Sequence, residues 1–187
     1  MARDDREHWD AKHANRADRD APPAPFLVAH AHHLPLGRTL DVAAGTGRNA
    51  RFLAGLGHRV VAVDVSGIGL AVLRAIAPDV ACVQMDLDRP GIRPGACDAV
   101  VVVSFLDRRL LETAVDWVRP GGVVLWETFL REQRDIGHPR NPDWLLERGE
   151  LRARLGPRCE VLVECEGLVD EPGGRAFRSG IVVRRRR

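Results

Sequence analysis

Tyrosine is missing from all 187 residues, and Lys12 is the only lysine in a chain whose positive charge is otherwise arginine. Without tyrosine there is no Tyr-x-x-x-Lys pair, which argues against a small NAD-dependent reductase. Apolar runs are short as well. The longest, Ala99 to Val103, is a fraction of the roughly 20 residues needed to cross a bilayer. The first residues, Met-Ala-Arg-Asp-Asp-Arg-Glu-His, lack the apolar segment of a secretory signal, so a cytoplasmic location is expected. Four cysteines, Cys82, Cys97, Cys159 and Cys165, form no C-x-x-C pair. They predict free thiols in the core, with Cys159 and Cys165 facing the same side of one strand, and no zinc site. His30, His32 and His33 stand without a nearby carboxylate or cysteine and are expected at the surface. A net charge of +2 gives no strong field for nucleic acid over the whole domain.

What is present is concentrated in residues 37 to 49. A short apolar run, Thr39-Leu40-Asp41-Val42, leads into Ala43-Ala44-Gly45-Thr46-Gly47, and a helical segment follows. A second apolar run, Val60-Val61-Ala62-Val63, ends in Asp64. Strand, glycine turn, helix, strand and acid make half of a nucleotide-binding βαβ unit. The glycines let backbone pass close to a ligand where a Cβ would collide. Asp64 is placed to accept from both hydroxyls of a ribose. Asp41 lies where a pyrophosphate would bring repelling negative charge, but it suits an ammonium group. A ligand with a cationic amino acid at one end and adenosine at the other satisfies both acids, and S-adenosylmethionine is such a molecule.

Strand patterns fall at 38–42, 59–63, 80–84, 98–103, 122–128, 159–166 and 176–184. Helical patterns fall near 26–33, 48–56, 67–76, 107–118 and 142–155, and residues 1–22 read as a short helix or partly ordered arm. The alternation predicts an α/β domain with a mostly parallel sheet. Pro120-Gly121-Gly122 and Glu171-Pro172-Gly173-Gly174 read as punctuation. Arg184 to Arg187 read as a solvated tail with nothing to pack against.

Asp41-x-x-x-Gly45-x-Gly47 with Asp64 resembles the first two motifs of class I S-adenosylmethionine-dependent methyltransferases. Further features recur in order: Trp9-Asp10-x-Lys12, Gly47-Arg48-Asn49-Ala50, Phe105-Leu106-x-Arg108, Pro120-Gly121-Gly122 through Glu127-Thr128-Phe129, and Asn141-Pro142-x-x-Leu145-Leu146-x-x-Gly149-Glu150-Leu151. Together they resemble the small methyltransferases of the tellurite-resistance type. The resemblance implies a Rossmann-like three-layer sandwich, with a seven-stranded, mostly parallel sheet closed by an antiparallel C-terminal hairpin. It implies one methyltransferase domain over residues 26–187 and an N-terminal arm or lid over 1–25. It also implies cofactor contacts from Asp41, Ala43, Gly45, Gly47, Asn49, Asp64, Val65, Asp86, Leu87 and Ser104. Asp86 is expected at the adenine amine, with Met85 and Leu87 against its faces.

Ligands of doubly wound sheets sit beyond the carboxyl ends of the strands. Ser104 and Phe105, after the fourth strand, therefore belong beside the reactive methyl. Glu127, at the end of the fifth, is the best carboxylate to orient or deprotonate an acceptor, unless it pairs with Arg131. Arg108 either attracts an anionic acceptor or sits solvated, and Trp9 and Lys12 are expected on the lid. An Asn/Asp-Pro-Pro-Tyr/Phe tetrapeptide is absent after the fourth strand, which argues against methylation of nucleic-acid bases or glutamine. The expected acceptor is a small molecule: a thiol, a chalcogen oxyanion or a carboxylate-bearing compound, nucleophilic in its own right. No membrane partner is expected, and the chain is read as a monomer or homodimer. The rival is a sensor or partner subunit that binds S-adenosylmethionine without turnover.

Overall fold

The computed structural model describes residues 2–14 and 21–187; Met1 and residues 15–20 lie outside them. Seven strands form one sheet: β1 Arg38–Val42, β2 Arg59–Asp64, β3 Ala81–Gln84, β4 Cys97–Val103, β5 Val118–Phe129, β6 Cys159–Glu171 and β7 Gly174–Arg185. Their order is β3-β2-β1-β4-β5-β7-β6. The first five are parallel, and β7 runs antiparallel to both β5 and β6, closing the sheet with the expected hairpin. The order reverses between β1 and β4, so a crevice opens beyond their carboxyl ends.

Helices cover both faces. They are α1 Ala2–Ala14, α2 Pro25–His30, α3 Arg48–Gly55, α4 Gly67–Ile76, α5 Arg108–Trp117, α6 Gln133–Ile136 and α7 Glu150–Leu155. Strand β4 is apolar along Ala99 to Val103 because both its sides are covered. Alternate residues feed two cores. One holds Val100, Val102, Trp117, Trp126 and Ile181, and the other holds Leu27, Leu53, Leu70, Val101 and Leu125. Two helices that open at the crevice have side-chain caps: Ser66 Oγ accepts from Gly69 N at 3.0 Å, and an Asp107 carboxylate oxygen accepts from Arg109 N at 2.9 Å.

Four expectations need correction. The stretch 142–155 is not one helix: a 3-10 turn at Pro142–Trp144 gives way to an extended segment before α7. Leu145 and Leu146 are buried there, and Leu146 bridges Leu130. Packing demanded two apolar side chains in a row, which a helix would have splayed apart. Pro120-Gly121-Gly122 lies inside β5 rather than before it, at a register shift against β4. A Cβ on Gly122 would strike the carbonyl of Asp98. Cys159 and Cys165 do not share a face, because a register shift between Val161 and Val163 inverts the alternation; Cys159 is buried and Cys165 exposed. Arg184 and Arg185 are strand residues, paired with Val123 and Cys159. The Arg185 guanidinium donates to the carbonyls of Asp116 and Val118 at 3.1 and 2.7 Å.

Candidate functional site

Among the described residues, two that are not glycine have left-handed backbone, Ala43 (φ 56°) and Ser104 (φ 57°). They follow the last residues of β1 and β4, on either side of the topological switch, where strain of this kind clusters at functional sites. Gly45 (φ 56°) and Gly47 (φ 83°) continue the turn after β1, and Gly47 caps α3. A Cβ at Gly47 would collide with Leu73 of α4, so this glycine is needed for packing.

Asp64 closes the turn. Its two carboxylate oxygens accept from Gly45 N at 2.7 Å and from Ser66 N at 2.8 Å. Each oxygen retains a second lone pair, which leaves capacity for ribose hydroxyls. Beside it, Met85 N donates to the Asp64 carbonyl at 2.9 Å, and Gln84 Nε2 donates to the Val65 carbonyl. Asp86 is half-buried just beyond, accepting from Asp88 N at 2.9 Å. Leu87 turns into the core, leaving half-buried Met85 as the apolar surface at that position.

Asp41 is 1 % exposed, and its Oδ2 has no hydrogen-bond partner. Burial, with Asp64 nearby, pushes its carboxyl up to about 7, against the pull of the Ala50 N–H and the Arg48 charge. A carboxyl in this state calls for a cation. Glu127, 5 % exposed at the end of β5, is in the same condition: Oε2 is buried without a partner, and burial raises the carboxyl to about 7. Arg178 and Arg48 draw it down, and Glu171 raises it. Arg131 is not its partner, since it pairs with Glu147 at 2.5 Å.

Several expected site residues are committed to the scaffold. Asn49 is buried and its Oδ1 accepts from Ala24 N at 3.0 Å, which pins the segment before α2. Arg108 is tied to the segment around α7. It makes two bonds to Glu150, at 2.6 and 3.0 Å, and donates to the carbonyls of Asp143 and Leu145. Phe105 is half-buried, its carbonyl accepting from Trp126 Nε1.

Helix α1 lies along α4. Asp10 accepts from Ser66 Oγ at 2.6 Å and from Ile68 N at 3.2 Å. The space beside Gly45, reserved above for a ligand, is faced by the ring of His13, 6 % exposed. Lys12 is exposed and stacks over Trp9 at 4.4 Å, so Asp10 and His13 are the arm residues that reach the turn. Nothing in the sequence marked His13. Arg178 was also missed. It carries Nη1 to Ser104 Oγ at 2.9 Å and stacks 3.6 Å over Phe129. The usable signal was a charged residue within the strand pattern 176–184.

Residues 39–122 match the family described as a methyltransferase domain. The matched segment runs from β1 through the glycine turn into β5, a little under half of the chain. The fold agrees with solved structures. The protein in a structure of the conversion of a disulfide bond into a thioacetal group during echinomycin biosynthesis superposes with a TM-score of 0.75 at 21% identity, covering 97% of this chain and 92% of that one. TehB from Haemophilus influenzae gives 0.74 at 18%, covering 97% and 67%. An S-adenosylmethionine-dependent methyltransferase from Mesorhizobium loti gives 0.70 at 19%, covering 87% and 98%. No curated protein matches the chain by sequence. No helix among the described residues is long and apolar enough to cross a membrane.

The crevice has groups that S-adenosylmethionine would need: Asp41 Oδ2 is a buried acceptor without a partner, Asp64 has free lone pairs, and Met85 and Asp86 lie half-buried just beyond it.

Proposed function

We propose that the chain transfers the methyl group of S-adenosylmethionine to a small nucleophile held between the ends of β4, β5 and β7. The observation that carries the acceptor side is the buried, unpartnered Oε2 of Glu127, beside Ser104 and across the switch point from Asp41. When bound, the cofactor supplies an activated methyl on a sulfonium, whose departing sulfur keeps the electron pair. In this reading Asp41 neutralises the ammonium, and Asp64 holds the ribose while tying Gly45 to Ser66. Glu127, with its carboxyl near 7, takes the proton from an acceptor thiol or hydroxyl, or orients one that arrives ionised. The exposed Ser104 hydroxyl positions the acceptor. Helix α1 acts as the lid, excluding water through its contacts with Ser66 and the glycine turn. The acceptor belongs to the thiol, chalcogen oxyanion or carboxylate-bearing compounds.

Calorimetry with S-adenosylhomocysteine, followed by S-adenosylhomocysteine release over a thiol panel, tests this reading. Asp64→Ala is expected to weaken cofactor binding by about 1.5–3 kcal/mol, the worth of hydrogen bonds to a charged group. Unchanged affinity in that variant would refute the ribose assignment. Cofactor binding with no release for any acceptor would favour a sensor.

A further inference from the structure

Arg178 is 7 % exposed, and every one of its polar groups is engaged at the acceptor side of the crevice. Nε and Nη2 make parallel bonds to the two carboxylate oxygens of Glu171, at 2.8 and 3.0 Å. Nη1 donates to Ser104 Oγ, and the guanidinium plane rests on Phe129. A guanidinium fixed this way is a rigid two-pronged receptor for a planar carboxylate. The group filling it comes from an unusual source. Glu171 ends β6 at the hairpin turn, opposite Gly174 in the ladder, whereas Arg178 lies four residues further along β7 opposite Gly167. Glu171 therefore reaches back from the turn, and it is not the cross-strand neighbour of Arg178.

The register places the rest. Arg178 opposes Phe129 and Gly180 opposes Glu127, so Arg178 and Glu127 serve the same face of the sheet. Their strand positions are two residues apart, roughly 7 Å along the ladder. On one side stands a fork shaped for a carboxylate, and on the other a buried carboxyl with an unused oxygen. Gly180 adds no side chain between them, and a Cβ there would strike Phe26.

We propose that the methyl acceptor is a short carboxylic acid, with its nucleophilic thiol or hydroxyl a few bonds from the carboxylate. Its carboxylate takes the place of Glu171 on Arg178, and Glu171 holds that place when no acceptor is bound. The exchange swaps one carboxylate for another, so Arg178 is never left buried and uncompensated, which would be costly. The displaced Glu171 returns to solvent on an exposed turn. This inference rests on the acceptor side of the reading above.

The test is calorimetric binding of 3-mercaptopropionate and of neutral 3-mercaptopropanol, each measured with and without S-adenosylhomocysteine. Wild type is expected to prefer the acid by at least about tenfold. Glu171→Gln removes the competing charge and is expected to tighten binding of the acid about tenfold, leaving the alcohol unchanged. Arg178→Lys, which lacks the fork, is expected to abolish the preference. A gain of affinity in Glu171→Gln is a result that general loss of structure does not produce. Equal binding of acid and alcohol in wild type, or no gain in Glu171→Gln, overturns the inference even where S-adenosylhomocysteine binds normally. Failure of S-adenosylhomocysteine to bind sinks the cofactor reading, and the acid titrations without it still decide this one.

Discussion

Asp41 and Arg178 are buried charged residues in opposite conditions: Arg178 is fully partnered, and Asp41 keeps one oxygen without a partner. Burial alone disfavours the ionised form of Asp41, and the carboxyl sits near 7 instead of in the usual carboxylate range. In the proposed reading the cofactor's ammonium requires the ionised form, so protonation competes with binding. Affinity for S-adenosylhomocysteine should therefore fall as pH drops through 7, being about tenfold weaker at pH 6 than at pH 8. Binding below pH 7 should release a proton, visible as a dependence of calorimetric enthalpy on the buffer. Asp41→Asn should bind weakly with a flat pH profile. A flat profile in the wild type would place the ammonium elsewhere.

Among the elements, α1 and β7 carry more than their composition suggests. Helix α1 is strongly polar, yet Asp10 and His13 lock it onto α4 and the glycine turn. Removing residues 1–14 should slow turnover more than it weakens S-adenosylhomocysteine binding, because the proposed reading draws the cofactor's main contacts from the ends of the strands. Equal losses in both would mean the helix is part of the cofactor site. In β7, Arg184 pairs with Glu160 at 3.0 Å, while the Arg185 guanidinium spans two carbonyls of the α5–β5 junction. Deleting residues 186–187 should leave the melting temperature nearly unchanged. Deleting 184–187 should cost about 2 kcal/mol, or roughly 5 °C for a chain of this size. Identical melting for the two deletions would show that the end of β7 adds nothing to the sheet.

Over the whole molecule, the crevice is bought with stability. A carboxyl raised by folding favours the folded state below its unfolded value, and that advantage is lost as pH rises through the folded value. For Glu127 the window runs from 4.5 to about 7. Glu127→Gln should stabilise the fold by about 3 kcal/mol at pH 8 and under about 1 kcal/mol at pH 5, measured by urea unfolding. An equal gain at both would mean the carboxyl is not raised. Strand and helix order, the glycine turn and Asp64 were legible in the sequence, because apolar periodicity and the backbone needs of a tight turn are local. The same local rules misread 142–155, where burying Leu145 and Leu146 together overrode helical spacing. They misread Arg184, whose partner Glu160 lies in β6, Arg185, whose partners lie in α5 and β5, and Arg108, whose partner Glu150 opens α7. Asn49 also holds Ala24 N, a partner that only folding brings to it. His13 and Glu171 gave no local sign, and Arg178 only that of a charge within a strand, since their meaning depends on what faces them across α1, α4 and the β6–β7 hairpin. The sequence by itself determined which backbone turns and strands form, whereas only the tertiary structure decided which charges are buried and what neutralises them, because desolvation and pairing are set by neighbours far away along the chain.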